Sequence, residues 1–233
     1  MNISEELLEN WCSQKGWECI KIPPSPKETE RTPDYSIKID GMVVYAEVKE
    51  IVANEEEIKV LGQLEERGWG DAYGVEPGKT VREKIKDSYG QLKRLAERDK
   101  TSAILVLYNN SGMAGLGRLS HYHVLTAMFG LQTVPIKVPC DSAIPLSVGS
   151  DFLGSKKSVT SNRNRYLSGI LTLYEHDQNG LMAFFYHNPY AHFPVDCRLI
   201  GNERCIQYRV SPTKRNWELI KCAEIEFPKR DGV

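Results

Sequence analysis

The spacing of apolar positions predicts a helix followed by a β-hairpin at the start of the chain. An apolar stripe at helical spacing indicates a first helix, capped at its N-terminus by Ser4 and ended by Gly16. Residues 35–39 and 42–51 are rich in Val, Ile and Tyr, as strands are. They are joined by Asp40-Gly41, a dipeptide that favours a two-residue hairpin turn because both central residues need positive φ.

The hairpin turn fixes which residues of the two strands face each other. Ile39 is expected to pair with Met42, and counting back along both strands puts Asp34 opposite Glu47. Lys49 points to the same side as Glu47, because residues two apart on a strand share a face. The other face of the second strand is apolar and suits burial against a helix: Val44, Ala46 and Val48.

Two helices and a buried strand are predicted next. Asn54 is a plausible cap for a short helix, and a capping box at Thr80 and Glu83 predicts a longer one that runs to about residue 97. The longer helix carries an apolar face and, beside it, a polar stripe that includes Gln91. The apolar run 102–108 predicts a strand buried on both faces in the middle of a sheet.

The second half of the chain changes to strands and turns. We expect a helix over residues 121–129, a strand over 133–138, and a second hairpin formed by 167–175 and 181–187. Together the elements predict one α/β domain, residues 1–233, with a central mixed sheet that is antiparallel at the first hairpin and flanked by helices. Its core covers about residues 3–138, and a β-rich C-terminal extension covers about 139–233.

Composition narrows the class of protein. With 30 basic and 31 acidic residues among 233, the chain has no general positive field, so any contact with nucleic acid depends on local patches. Six cysteines without C-x-x-C spacing, and a start that lacks signal-peptide features, favour free thiols in the cytoplasm. No apolar run approaches the roughly 20 residues of a membrane span, so we expect no membrane association.

The predicted pairing of two carboxylates suggests a metal site. Like charges opposite each other in a sheet repel, so we expect a cation between Asp34 and Glu47. Oxygen ligands favour a hard ion, Mg²⁺ or Mn²⁺. Lys49 could hold or deprotonate a water, or stabilise negative charge that develops on a phosphate. The alternative is that Glu47 and Lys49 form an ordinary surface pair, in which case no divalent ion binds near Asp34.

Pro33-Asp34, followed by Glu47-Val48-Lys49 on the next strand, resembles the PD-(D/E)xK nuclease superfamily, which has a restriction-endonuclease-like fold. The resemblance covers about residues 3–108. It implies that Asp34 and Glu47 bind the metal, helped by the backbone carbonyl of Val48, and that Lys49 is the catalytic lysine.

The resemblance also implies roles for the two long helices. In the superfamily the helix beside the hairpin often presents a glutamine to the site, and Gln91 resembles it, although the family's tyrosine four residues on is Leu95 here. A glutamate of the first helix completes the metal shell in several branches. Glu5 is the best match, with Glu6 and Glu9 as rivals, and the alternative is that these acids only favour a helix N-terminus.

The function implied is a metal-dependent nuclease that hydrolyses phosphodiester bonds, with DNA favoured over RNA as the partner. The rival interpretation is a catalytically silent module on the same fold that binds nucleic acid or protein. A homodimer stays open as the assembly. Candidate contacts to nucleic acid, each with surface charge or core packing as the alternative, are Arg82, Lys84, Trp69, Arg163 and Arg165.

Overall fold

The protein is described from a computed structural model. The structure describes residues 2–26, 31–69, 76–111, 119–140, 145, 147–149, 152–176, 180–201, 204–210 and 219–221. The helices are α1 (Ile3–Gln14), α2 (Glu55–Arg67), α3 (Lys79–Asp99), α4 (His121–Phe129) and α5 (Cys197–Ile200). The first strands are β1 (Glu18–Lys21), β2 (Tyr35–Ile39), β3 (Met42–Val52) and β4 (Ser102–Asn110). They are followed by β5 (Gln132–Thr133), β6 (Ile136–Lys137), β7 (Ser147–Val148), β8 (Phe152–Leu153), β9 (Gly169–His176), β10 (Gly180–His187), β11 (Cys205–Val210) and β12 (Leu219–Lys221).

Eight strands form one mixed sheet in the order β1-β2-β3-β4-β9-β10-β11-β12. The β3–β4, β4–β9 and β10–β11 pairs are parallel, and the other pairs are antiparallel. The predicted α/β class, with a central mixed sheet flanked by helices, is therefore confirmed. The predicted second hairpin is also confirmed, and it extends the same sheet because β9 pairs directly with β4.

The first hairpin has the predicted register. Ile39 pairs with Met42 and Tyr35 with Ala46. Asp40 and Gly41 both have positive φ, 47° and 81°, as a two-residue turn of this type requires.

The two faces of the sheet bury two separate apolar clusters. One face packs against α1, and its cluster joins Leu8 and Trp11 to Val44, Ala46 and Val48, as the sequence predicted. The other face packs against α3 and α4, with residues such as Leu92 and Leu125 in its cluster. Strand β4 contributes buried residues to both clusters, which confirms that it lies in the interior of the sheet.

Two predicted caps are wrong. The N-cap position of helix α1 is Asn2, whose side chain makes no capping hydrogen bond, while Ser4 lies inside the helix and is buried. Helix α3 begins at Lys79 after Gly78, and no side chain caps it, so Thr80 is not an N-cap. By contrast, Asn54 caps α2 as expected and forms a capping box with Glu57.

The single strand predicted over residues 133–138 is also wrong, because that segment belongs to a separate structure. Strand β5 pairs with β8, and β6 pairs with β7, as two small antiparallel sheets outside the main one. We call the described parts of residues 131–154 the β-arm. Prolines at 135 and 139 interrupt the extended run, which explains why it does not form one continuous strand.

Five cysteines lie in the described part of the chain, and all five are free thiols, as predicted: Cys12, Cys19, Cys140, Cys197 and Cys205. Within the same described ranges, no helix is both long and apolar enough to cross a membrane.

Candidate functional site

Asp34 is held against strand β3 by its own side chain. It lies one residue before β2, where the register of the hairpin places it level with Glu47. Its Oδ2 accepts a hydrogen bond from the backbone N–H of Val48 at 2.8 Å. This bond directs the Asp34 carboxylate toward the partner strand, so the turn and the bond together bring the two acids close.

Glu47 is a buried carboxyl in the middle of β3, with 1 % of its surface exposed. Its Oε1 accepts a hydrogen bond from Lys49 Nζ at 2.5 Å and another from the side-chain amide of Gln91 on α3. Its Oε2 is buried and receives no hydrogen bond from a donor in the described part of the chain, although a protonated Glu47 would share its proton with Asp34. The described part of the chain has four such buried side-chain atoms without a hydrogen bond, and among these four only Glu47 Oε2 belongs to an ionisable group.

The environment of Glu47 raises its pKa to about 7 from an ordinary 4.5. Burial is the largest cause, because it disfavours the charged form. The hydrogen bond and charge of Lys49 act in the opposite direction, while the charge of Asp34 and a hydrogen bond between the two carboxyl groups raise the pKa further. At pH 7 and without a bound cation, the Glu47 carboxyl is therefore close to half protonated.

Helix α3 supplies the third part of the site. Glu47 alternates along β3 with Ala46 and Val48, which face α1, so its side chain projects toward α3. Gln91 lies on α3 where its side chain reaches Glu47. The expected grouping of Asp34, Glu47, Lys49 and Gln91 is thus present in the fold.

The donors at this site suit a hard divalent cation. Two carboxylates and a neighbouring backbone carbonyl, that of Val48, are all oxygen ligands, which Mg²⁺ and Mn²⁺ prefer. The buried Oε2 of Glu47 receives no hydrogen bond from a donor among the described residues, and a cation would satisfy this acceptor. The described part of the chain contains no group of three or more His, Cys, Asp or Glu side chains that could hold a metal. The protein would therefore provide two carboxylates, and Mg²⁺ commonly keeps several waters.

Glu5 is placed differently from the other candidate ligands. Helix α1, which carries it, packs on the face of the sheet opposite to Glu47. Glu5 Oε2 forms an ion pair with Lys21 Nζ at 2.7 Å. The hydroxyl of Tyr35 donates a hydrogen bond to Glu9 Oε1 at 2.7 Å, and Glu6 is exposed. Glu5 and Glu9, which are both partly buried, thus each have a partner on the α1 side of the sheet.

The sequence did not reveal two cations near the hairpin: Lys21, on the α1 side of the sheet with Glu5, and Arg94 on α3. The pKa of Lys21 is raised, first by its hydrogen bond with Glu5 and also by the charge of Asp34. Arg94 donates a hydrogen bond to the carbonyl of Arg31 at 2.9 Å, three residues before Asp34. Arg94 lies one helical turn beyond Gln91, so extending the polar stripe of α3 by a turn could have found it. Lys21 gives no local signal, because its position depends on the pairing of β1 with β2.

The candidate contacts to nucleic acid lie on several elements of the described structure, and most have partners within the protein. Arg82 bonds to Glu76 and to the carbonyl of Pro77, while Lys84 is half-buried on α3. Trp69 follows α2 and is 60 % exposed. Arg163 donates to the carbonyl of Lys157 at 3.4 Å, and Arg165 to that of Tyr190 at 3.5 Å.

Comparison with protein-family models, with curated proteins and with solved structures found no match.

Proposed function

We propose that this chain is a nuclease that hydrolyses phosphodiester bonds with the help of Mg²⁺ or Mn²⁺, and that DNA is its substrate. The observation that carries the proposal is the state of Glu47. It is a buried carboxyl beside a second carboxylate. Its Oε1 accepts hydrogen bonds from Lys49 and Gln91, and its Oε2 receives none from a donor in the described part of the chain. Structural ion pairs rarely leave a buried charged oxygen unsatisfied. The resemblance to the PD-(D/E)xK motif, and with it to the restriction-endonuclease-like fold, supports the same assignment.

Asp34, Glu47 and the carbonyl of Val48 would hold the metal. A bound Mg²⁺ would polarise the phosphate and lower the pKa of a bound water. Gln91 and Lys49 both hold Glu47 Oε1, which keeps Oε2 in a fixed direction. Asp34 is likewise fixed through its bond to the Val48 N–H.

Lys49 is the residue that would meet the substrate. Its side chain is 30 % exposed while that of Glu47 is 1 % exposed, so the ammonium lies between the buried carboxyl and solvent. There it would orient the attacking water and offset the negative charge that develops on the phosphate. The charge is positioned in advance by Glu47, so it costs little reorganisation when the reaction occurs.

The test is a cleavage assay on linear, nicked, branched and single-stranded DNA with Mn²⁺ or Mg²⁺. Lys49→Ala is expected to lower the cleavage rate by about 10²–10³-fold, the usual effect of losing a preorganised charge at the reacting group. DNA affinity should change little in this variant. Lys38→Ala is the matched control, since Lys38 is an exposed lysine on the same hairpin that pairs with Glu18. Its cleavage rate should stay at the wild-type level.

A second measurement reports on the metal without any turnover. Calorimetric titration with Mn²⁺ should give binding to the wild type that is lost in Asp34→Asn and in Glu47→Gln. DNA binding without cleavage, unaffected by Lys49→Ala, would instead support the silent module. Metal binding that survives Asp34→Asn would remove the basis of the assignment.

A further inference from the structure

Helix α1 ends in a turn that brings two cysteines together. The N–H of Gly16 donates to the carbonyl of Ser13 at 3.0 Å, and the N–H of Trp17 donates to the carbonyl of Cys12 at 2.9 Å. These two bonds, with the left-handed φ of 68° at Gly16, form a Schellman motif, which ends a helix and redirects the chain. The strand that follows therefore starts beside the last turn of α1 and carries Cys19.

The side chains of Cys12 and Cys19 contact each other directly. Cys12 is fully buried in the apolar cluster on the α1 side of the sheet, and Cys19 is partly buried and packs against the same cluster. A side-chain hydrogen bond joins the two thiols. Two cysteines can be bridged by a disulfide only where their side chains point toward each other. This pair meets that requirement while both thiols are free.

The two thiols differ in acidity and in access to solvent. Their hydrogen bond raises the pKa of the Cys12 thiol and lowers that of Cys19, which identifies Cys12 as the donor. Burial and the charge of Glu9 raise the pKa of both thiols, but in Cys19 the hydrogen bond is the larger effect. Cys19 also lies on β1, at one end of the described sheet. Its sulfur therefore has more thiolate character and more access to an oxidant than that of Cys12.

A zinc site does not fit this pair. Structural zinc takes four ligands, most often from Cys and His. The described ranges contain no group of three or more His, Cys, Asp or Glu side chains that could hold a metal. An accessible thiol of lowered pKa beside a second thiol is instead the arrangement of a cysteine pair that oxidises reversibly.

We propose that Cys12 and Cys19 are a modification site that forms a reversible disulfide on reaction with a peroxide. The Cys19 thiolate attacks one oxygen of hydrogen peroxide, the O–O bond breaks, and the leaving hydroxide takes up a proton to become water. The sulfenic acid formed on Cys19 is then attacked by the Cys12 sulfur. The S–O bond breaks, and the hydroxide leaves as water with the proton of Cys12. Each sulfur loses one electron, the peroxide is reduced to two waters, and a dithiol reductant reverses the reaction.

The disulfide joins the end of α1 to β1. It closes the loop 12–19 on the face of the sheet opposite to the Glu47 side chain, so the inference does not depend on the proposed nuclease activity. A disulfide stabilises a protein mainly because it restricts the unfolded chain, and a short loop gives a modest effect. We therefore expect the oxidised protein to melt about 5–10 °C above the reduced protein.

The test treats the full-length chain with hydrogen peroxide, alkylates the remaining thiols, and analyses a tryptic digest by mass spectrometry. Trypsin cuts after Lys15 and Lys21, so the two cysteines fall in separate peptides, 1–15 and 16–21. In the oxidised wild type the peptides should appear as one joined species, two hydrogen atoms lighter than their sum. Dithiothreitol should separate them again and return the melting temperature to that of the reduced protein.

Three variants separate the roles of the thiols. Cys19→Ser should lose both the joined species and the rise in melting temperature, and Cys19→Ala replaces it if that protein does not fold. Cys12→Ala should leave a sulfenic acid on Cys19, which dimedone labels. The matched control is Cys140→Ser, which removes an exposed thiol from another part of the chain. It should keep both the joined species and the rise in melting temperature.

Three results would overturn the proposal. The first is a pair of peptides that stay separate at a peroxide concentration that oxidises the exposed Cys140. The second is a disulfide that joins Cys12 or Cys19 to another cysteine instead. The third is a rise in melting temperature that persists in Cys19→Ser, because the stabilisation would then have another origin.

Discussion

The Glu47 carboxyl is buried, lies beside a second carboxylate, and has an oxygen that receives no hydrogen bond from any described donor. Each of these features favours the protonated form in the absence of a cation. The folded state therefore binds more protons at this residue than the unfolded state does between pH 4.5 and about 7. Where the folded state binds more protons than the unfolded state, the free energy of unfolding falls as pH rises. Glu47 should therefore lower the stability of the protein progressively as pH rises from 4.5 to about 7.

Replacing Glu47 with Gln tests this property in protein treated with a chelator. A pKa raised from 4.5 to about 7 corresponds to about 3 kcal/mol. The free energy of unfolding of Glu47→Gln, relative to that of the wild type, should therefore increase by about 3 kcal/mol as pH rises from 4.5 to 8. Urea unfolding at a series of pH values measures the change. Glu50→Gln, on the other face of the same strand, is the control, and a Glu47→Gln curve parallel to the wild type would contradict the prediction.

Most of the residues at this site were predictable from local sequence. A two-residue turn sets the register of a hairpin, so the pairing of Asp34 with Glu47 depended on recognising Asp40-Gly41 alone. Lys49 followed from the period of a strand. The bond from the Val48 N–H to Asp34 and the position of Lys21 were not predictable, since both depend on how strands approach in space.

At the level of elements, the two helix caps show where local patterns succeed and fail. Asn54 caps α2 as predicted, because α2 has no buried residue and its start is set by its own sequence, and it also forms a capping box with Glu57. The start of α3 is set by packing. Gly78 lies so close to α4 that an added Cβ would meet the backbone N of Ala127 at 2.7 Å and the carbonyl O of His123 at 2.8 Å. Tertiary contact thus overrode the Thr80 pattern.

Gly68 and Gly78 make a matched pair that separates conformation from packing. Both have φ of 73°, where a side chain is strained, but an added Cβ at Gly68 would meet nothing within 4 Å. Gly68→Ala should cost at most about 1–2 kcal/mol, the penalty for a left-handed backbone. Gly78→Ala should cost about 1–3 kcal/mol more, because the added carbon would press on the backbone of α4. Urea unfolding of the two variants measures the difference, and equal costs would mean that α4 gives way freely.

For the whole molecule, the order of hairpin, helix and buried strand was predictable, but the place of the C-terminal half was not. The hairpin of β9 and β10 was evident from alternation and a turn, yet nothing local specifies that β9 pairs in parallel with β4. The β-arm was missed because its strands are two residues long, too short for a periodic signal. Strands from both the predicted core and the predicted C-terminal extension belong to the same sheet.

His187 offers a test of whether that continuous sheet unfolds as one unit. It lies on β10, is buried, and its Nε2 is 2.8 Å from Gln207 Oε1 on β11. Burial is the main cause that lowers its pKa from 6.5 to about 4, with Gln207 and Asp196 opposing the shift and Arg209 adding to it. The unfolded state binds the extra proton here, so this residue lowers stability as pH falls from 6.5 to 4, by about 3 kcal/mol in all.

The pH dependence from His187 is opposite in sign to that from Glu47, and the two lie in the two halves of the chain. If the sheet unfolds in one cooperative transition, the two slopes act on the same free energy and largely cancel between pH 4.5 and 6.5. Glu47→Gln keeps only the His187 effect, so its single transition should become less stable as pH falls. His187→Gln keeps only the Glu47 effect, so its transition should become more stable as pH falls. The exposed His192→Gln should follow the wild type. Fluorescence and circular dichroism during urea unfolding measure this. Two separate transitions, with each variant shifting only its own, would show instead that the halves fold independently, since a residue in one half cannot change the midpoint of a unit that does not contain it.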